Sequence, residues 1–351
     1  HWNIQFGRDN LSWGDGSFGN LTLSNNSLYY DFLRFTTFWN AWKFTSIVID
    51  LPPYYPGQTT LLLPSATPGE NNQSLSKTLL AHRLEFRILD RATLSLDEML
   101  MIGGKNLTIG EYNPLAIFHN WFIWEVAKAF ASAGLTVSPY RWFNLFGQFA
   151  VDQIQTPLKK ELYNTQSIPS AYGYLAGARA LYPLLDGYLH LEGQFTRTDP
   201  WIYIAGSAGG TPEPWLNYYS RQRVISNVLQ AAGFLENPIG WWDGPDSQAI
   251  DASLGYTSPG HYGVSVEVNF VQHGVNTMDS TYQLGSAAVL LTTPGTNPIN
   301  TVTLHLHGDY SPLSYLTIGA DAYYVTVTNV AHVVGDTAQN LLASGYVQVK
   351  F

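Results

Sequence analysis

Along most of this chain apolar residues alternate with polar ones, the period-two pattern of strands with one greasy and one wet face. Trp2, Ile4 and Phe6 alternate with Asn3 and Gln5, and Leu84, Phe86 and Ile88 alternate with Arg83, Glu85 and Arg87. The pattern returns at Leu94–Asp97, Phe143–Val151, Tyr172–Ala180, Leu189–Phe195, Ile250–Tyr256, Val264–Phe270, Val302–His307 and Leu316–Ala322. The predicted strands run to about 9–13 residues, the length of a tilted membrane-crossing strand rather than the usual five or six.

Turn chemistry gives an independent rhythm. Tight-turn sequences fall at Trp39-Asn40-Ala41, Leu89-Asp90-Arg91, Ser138-Pro139-Tyr140, Leu185-Asp186-Gly187, Ser258-Pro259-Gly260 and Ser311-Pro312-Leu313. Between neighbouring turns lie a strand, a long Gly/Pro/Asn-rich connection and another strand. Long connections are expected near 9–27, 52–78, 103–127, 154–169, 199–247, 273–299 and 329–338. This count gives 14 strands, with the first starting and the last ending on the short-turn side. The 199–247 stretch has room for another hairpin, which would raise the count toward 18. Val224, Ile225, Val228, Leu229 and Ala232 in it are also spaced like a short amphipathic helix.

Composition decides what solvates the greasy faces. The 351 residues are 14% aromatic and only 12% charged, against about 25% charged in an average soluble domain. No run of about 18 apolar residues offers a spanning helix, and His1 lacks the charged-then-apolar pattern of a leader, so a mature or trimmed start is expected. A soluble β-sandwich or propeller and a transmembrane β-barrel both fit these numbers. The barrel fits better, because strands in hydrocarbon must close on themselves and their outer faces need no charge. The predicted architecture is therefore all-β: one transmembrane antiparallel up-and-down β-barrel over 1–351, with 14–18 strands, short periplasmic turns and long extracellular loops. Its lumen would be lined by Arg83, Glu85, Arg87, Asp97, Arg179, Glu192, Glu267, His305, His307 and Asp321. A soluble core would need a partner for almost every one of them. Tyr and Trp near strand ends suit interfacial girdles.

Charge and motifs narrow the function. A net charge of -9 argues against nucleic acid, whose binding needs clustered cations. The absence of cysteine excludes disulfides and thiolate chemistry. Gly14-Asp15-Gly16-Ser17-Phe18-Gly19 matches GxGxxG, but no helix follows it to receive a pyrophosphate. Ser207 lacks the first glycine of a nucleophile elbow. His305 and His307 share a strand face near Asp309, which reads as a hydrated wall or an acid/base pair; no third strong metal ligand can be placed, and neither metal nor cofactor is expected. More specific is Gly240-Trp241-Trp242-Asp243-Gly244-Pro245-Asp246-Ser247, where two indoles stand beside two carboxylates. A sugar ring packs its apolar face on an indole and donates its hydroxyls to carboxylates. The bland alternative is an interfacial aromatic pair beside a turn. Trp13, Asp15, Trp201 and Trp215 are weaker loop candidates.

Two further features bring in a resemblance. The chain closes on an alternating strand ending in Phe351, similar to the terminal strand of bacterial outer-membrane proteins, where the barrel-insertion machinery reads the last aromatic. His82-Arg83-Leu84-Glu85-Phe86-Arg87, Leu94-Ser95-Leu96-Asp97-Glu98, Asn113-Pro114-Leu115, Phe118-His119-Asn120, Phe149-Ala150-Val151-Asp152 and the Gly240–Ser247 segment resemble the Wzi-like capsule-assembly outer-membrane proteins. So do Gly7-Arg8, Trp13-Gly14 and Gly19-Asn20-Leu21. The resemblance implies a barrel of about eighteen strands, preceded by periplasmic helices that this sequence does not include. It implies a non-catalytic surface lectin that retains capsular polysaccharide in the outer membrane, with Trp241, Trp242, Asp243 and Asp246 as contacts. A porin for small hydrophilic or lipidic solutes is the alternative.

Overall fold

The computed structural model describes residues 1–54, 61–62, 75–114, 127–154, 169–208, 211–226, 231–280 and 293–350. Phe351 and the Phe118-His119-Asn120 segment lie outside these residues. Fourteen antiparallel strands form one sheet in strict chain order. They are β1 (Trp2–Asp9), β2 (Tyr30–Phe38), β3 (Trp42–Tyr54), β4 (Leu75–Ile88), β5 (Ala92–Gly103), β6 (Ala127–Tyr140) and β7 (Phe143–Gln153). There follow β8 (Ala171–Leu184), β9 (Gly187–Thr198), β10 (Ser247–Ser258), β11 (Tyr262–His273), β12 (Ile299–Leu313), β13 (Leu316–Thr328) and β14 (Thr337–Val349). The protein is a transmembrane β-barrel of the outer-membrane type, with trim turns at one end and long connections at the other.

Register assigns each face. On β12 and β13, Leu304 pairs with Tyr324 and Leu306 with Ala322, while His305 pairs with Tyr323 and His307 with Asp321. The first set joins an outer belt with Leu191, Leu254, Val264 and Val268; these four, with Leu306 and Tyr324, are exposed as a lipid-facing belt requires. Trp2, Trp42, Tyr182, Tyr262 and Tyr310 ring this belt near the short turns.

The outer face departs from this rule over β3–β6. There Leu80, Leu100 and Ile102 are buried in a small cluster with Leu107 packed against it. His82 and Glu98 share that face at 4.0 Å. A histidine–carboxylate pair is costly against hydrocarbon, and His82 is accordingly covered by protein.

The inner face holds the main core. Tyr30, Phe32, Ile47, Ile49, Leu79, Met99, Met101, Phe130, Ala150, Leu175, Ala249 and Val271 contribute to one cluster from nine strands between β2 and β11. A flat sheet cannot bring side chains of β2 and β11 together, so the cluster itself requires the sheet to curl. Its centre comes from two connections that fold inward: Leu11, Trp13, Leu21 and Leu23 from the β1–β2 loop, and Ile202, Tyr203, Tyr218, Ile239 and Trp241 from the β9–β10 connection. Each fully buried Leu or Ile contributes roughly 1.5–3 kcal/mol. These loops form a plug.

Several local expectations change. The β9–β10 connection contains a hairpin, Tyr219–Ser226 paired with Ala231–Pro238, instead of the amphipathic helix. Tyr219, Val224 and Ile225 favour strand, and Gly233 penalises helix. Residues 227–230 lie outside the described set. Ser138-Pro139-Tyr140 and Ser311-Pro312-Leu313 are strand ends, with the turns at Arg141-Trp142 and Ser314-Tyr315. Both prolines sit where the ladder register shifts, between Val137 and Tyr140 and between Tyr310 and Leu313. A residue without an N–H is tolerated at such bulges.

Candidate functional site

The plug is built by wall side chains that complete the hydrogen bonds of irregular backbone. Gln148 on β7 accepts from the Leu21 N–H at 2.8 Å and donates to the Trp13 carbonyl at 3.0 Å. Thr22 and Ser132 share a hydroxyl bond of 2.8 Å. Arg179 donates to the Asp15 carbonyl at 2.8 Å, and Gln194 donates to the Gly19 carbonyl at 3.2 Å. The two inserted segments also bind each other. Tyr203 donates its hydroxyl to the Leu21 carbonyl at 2.7 Å, and Asn26 donates to the carbonyls of Pro238 and Gly240.

Buried ions anchor the second segment. Lys128 meets Asp152 at 2.6 Å, and Asp152 accepts from the Tyr203 N–H at 2.6 Å. Lys77 donates to the Asn217 carbonyl at 2.6 Å. Burial raises the carboxyl of Asp199 despite its bond from the Tyr172 N–H, and burial likewise raises the Tyr203 phenol.

The Trp-Trp-Asp segment divides into support and surface. Trp241 is fully buried, its indole donating to the Ser247 hydroxyl at 3.1 Å. Gly19, at φ +126°, lies so close that a Cβ there would stand 3.1 Å from the Trp241 ring. Asp246 is also fully buried. It accepts from the Gly295 N–H at 3.0 Å and from the Asn276 side chain at 2.9 Å, tying the β9–β10 connection to both ends of the β11–β12 connection. Neither residue presents a face to a ligand. Trp242, by contrast, is 39% exposed and tilted against Trp241 at 5.5 Å between ring centroids. Asp243 lies next to it with a carboxylate oxygen 3.1 Å from His273 Nδ1. The weaker candidates Trp13 and Trp201 belong to the plug core or pack against it.

Below the plug is a cavity of about 650 Å³, bounded by the plug tip at Ser12–Asp15 and by β1–β6. Arg83 spans Asp97 at 3.1 Å and Glu85 at 3.4 Å, and Lys43 meets Glu85 at 2.6 Å. Arg87 lies at the short-turn rim, exposed and 3.7 Å from Asp90. Arg179 faces Asp15 at 3.5 Å, opposite Glu192 in the β8–β9 register. On the far wall His305 lies between Glu267 at 3.3 Å and Asp321 at 3.0 Å and stacks on Tyr323. His307 lies between Asp321 at 2.9 Å and Asp309 at 3.4 Å. Among the described residues no group of three or more side chains could hold a metal ion.

The inner wall is polarised across its width. Inner positions of β1–β8 carry seven Lys or Arg against four carboxylates: Asp9, Glu85, Asp97 and Asp152. Those of β9–β13 carry Glu192, Asp251, Glu267, Asp309 and Asp321 and no Lys or Arg. Alternation in the sequence named half of these sixteen charges: Arg83, Glu85, Arg87, Asp97, Arg179, Glu192, Glu267 and Asp321. It did not name the rest, among them Arg34 and Lys43, whose strands mix apolar and polar residues on both faces.

Fold and site together define a plugged outer-membrane β-barrel. Among solved structures the chain is similar to Wzi of Escherichia coli, described as a carbohydrate-binding β-barrel involved in group 1 capsule assembly. The match has a TM-score of 0.62 at 11% identity and covers 100% of this chain and 68% of that one. The outer-membrane channel DcaP of Acinetobacter baumannii matches at TM-score 0.38 and 9% identity, over 99% of this chain and 96% of that one. A FadL homologue of Pseudomonas aeruginosa matches at 0.31 and 11%, over 99% and 86%. No family model and no curated protein sequence matches the chain.

Proposed function

We propose that this protein is a non-catalytic outer-membrane barrel that binds surface or capsular polysaccharide through the plug, with Trp242 as the stacking face and Asp243 as the hydroxyl acceptor. Trp241 and Asp246 hold that pair in place, so all four residues serve the site, two by contact and two by support. The observation that carries the reading is the exposed indole of Trp242 on a plug clamped from two sides, a preorganised platform of the kind sugar rings need. The likeness to the carbohydrate-binding Wzi barrel supports it. The surrounding partners are outer-membrane lipid, along the apolar belt, and the barrel-insertion machinery acting through Phe351.

The test is retention of capsular polysaccharide on cells expressing this chain. Trp242→Ala removes the stacking face and is expected to lower retention several-fold, while Asp243→Asn lowers it less. Retention equal to wild type by a folded Trp242→Ala protein would remove the reading.

A channel is the second reading, favoured by one observation: among the described residues none of β12–β14 joins the plug-centred apolar core, and the inner wall there carries His305, His307, Asp309 and Asp321 instead. A steady current across reconstituted bilayers that changes with Arg83→Gln or Arg87→Gln would favour it.

A further inference from the structure

The cavity under the plug has charge and hydroxyl features that the platform on Trp242 does not use. Around it the cations Lys43, Arg83 and Arg179 are each within 4 Å of a carboxylate. Arg34 differs. It lines the cavity from β2, and among the described residues its guanidinium donates only to the neutral Gln5 side-chain amide, while it lies over the Phe32 ring. A guanidinium offers a planar fork of donors matched to a carboxylate, and this one meets no carboxylate among the described residues.

The rest of the lining is equally selective. Ser12, Thr36, Thr45, Thr93, Ser95 and Thr136 line the cavity with Trp13, the Thr136 hydroxyl donating to Asp15 and the Ser12 hydroxyl accepting from Asn20. Hydroxyls donate and accept, as sugar hydroxyls do. The volume, about 650 Å³, falls within the range of small-ligand sites. The acidic arc of β9–β13 across the lumen repels an anion toward the basic arc, where Arg34 stands.

We propose that this chamber binds an acidic oligosaccharide, with a uronate carboxylate on the Arg34 guanidinium and the sugar hydroxyls on the threonine- and serine-rich wall. The chamber lies toward the short-turn, periplasmic end of the strands, opposite the long connections, and the assignment stands whether or not the plug surface binds polysaccharide.

Calorimetric titration of the full chain in detergent micelles tests this, with trigalacturonate and the neutral maltotriose as probes. Trigalacturonate binds the wild type and weakens as salt rises; maltotriose binds at least about tenfold more weakly. Arg34→Gln weakens trigalacturonate about ten- to hundredfold, Arg34→Lys weakens it less, and heat-modifiable gel migration reports that each variant is folded. The part of the titration lost in Arg34→Gln reports the chamber and separates it from the plug surface. The proposal is overturned by absence of trigalacturonate binding at about 10 mM, by equal affinity for maltotriose, or by wild-type affinity in folded Arg34→Gln. Should Arg34→Gln fail to fold, the salt dependence and the neutral probe in wild type decide: salt-independent binding overturns the assignment.

Discussion

Lys128 and Asp152 are a buried pair whose value is positional. Asp152 holds the Lys128 ammonium at 2.6 Å and the Tyr203 backbone N–H at 2.6 Å, joining wall to plug. Removing one partner of a buried pair strands the other charge, at about 3–5 kcal/mol, whereas replacing both by apolar residues is often neutral. Asp152→Ala is therefore expected to lower the temperature at which the folded band disappears on unheated gels, and Lys128→Met with Asp152→Leu to recover most of the loss. The two adjacent tryptophans teach a related lesson. Trp241 and Trp242 are identical in chemistry, yet one is sealed and the other 39% exposed. Sequence named the pair but could not separate the roles, because burial of a loop residue depends on where the loop goes.

At the scale of elements, the strands could be read because alternation is local: Leu304, Leu306 and Tyr324 fall on one face and His305, His307 and Asp321 on the other without knowledge of any neighbour. All seven of the long connections follow strands ending within two residues of the expected bounds. The plug could not be read in that way. Trp13, Leu21, Leu23, Ile202, Tyr203 and Ile239 have no common period, and their partners lie on strands far away in the chain. The one local clue was the glycine run. It marks close backbone approach, and the surface approached is the barrel's own wall: a Cβ on Gly14, at φ +136°, would lie 2.1 Å from Gln148 Nε2. Gly14→Ala is expected to displace the Gln148 clamp, destabilise by about 1–3 kcal/mol, and raise the conductance of reconstituted protein above wild type. An unchanged current and melting profile would show that the tip does not close the lumen.

The molecule as a whole is an apolar cylinder whose interior is polarised, with cations on one arc and carboxylates on the other, and whose filling is lopsided. The plug core draws on β2–β8, β10 and β11, while among the described residues β12–β14 contribute nothing to it, although β12 and β13 are laddered to both neighbours as the strands of that half are. Ladder bonds being equal, local stability follows side-chain packing. Backbone amides of β12–β14 are expected to exchange with deuterium sooner than those of β4–β8, and uniform protection around the wall would contradict this. A shell braced along part of its girth gives way along the remainder. Thermal breathing, sideways widening and the earliest steps of unzipping should then concentrate in the C-terminal staves, where any change of bore can occur without disturbing the seat of Trp242.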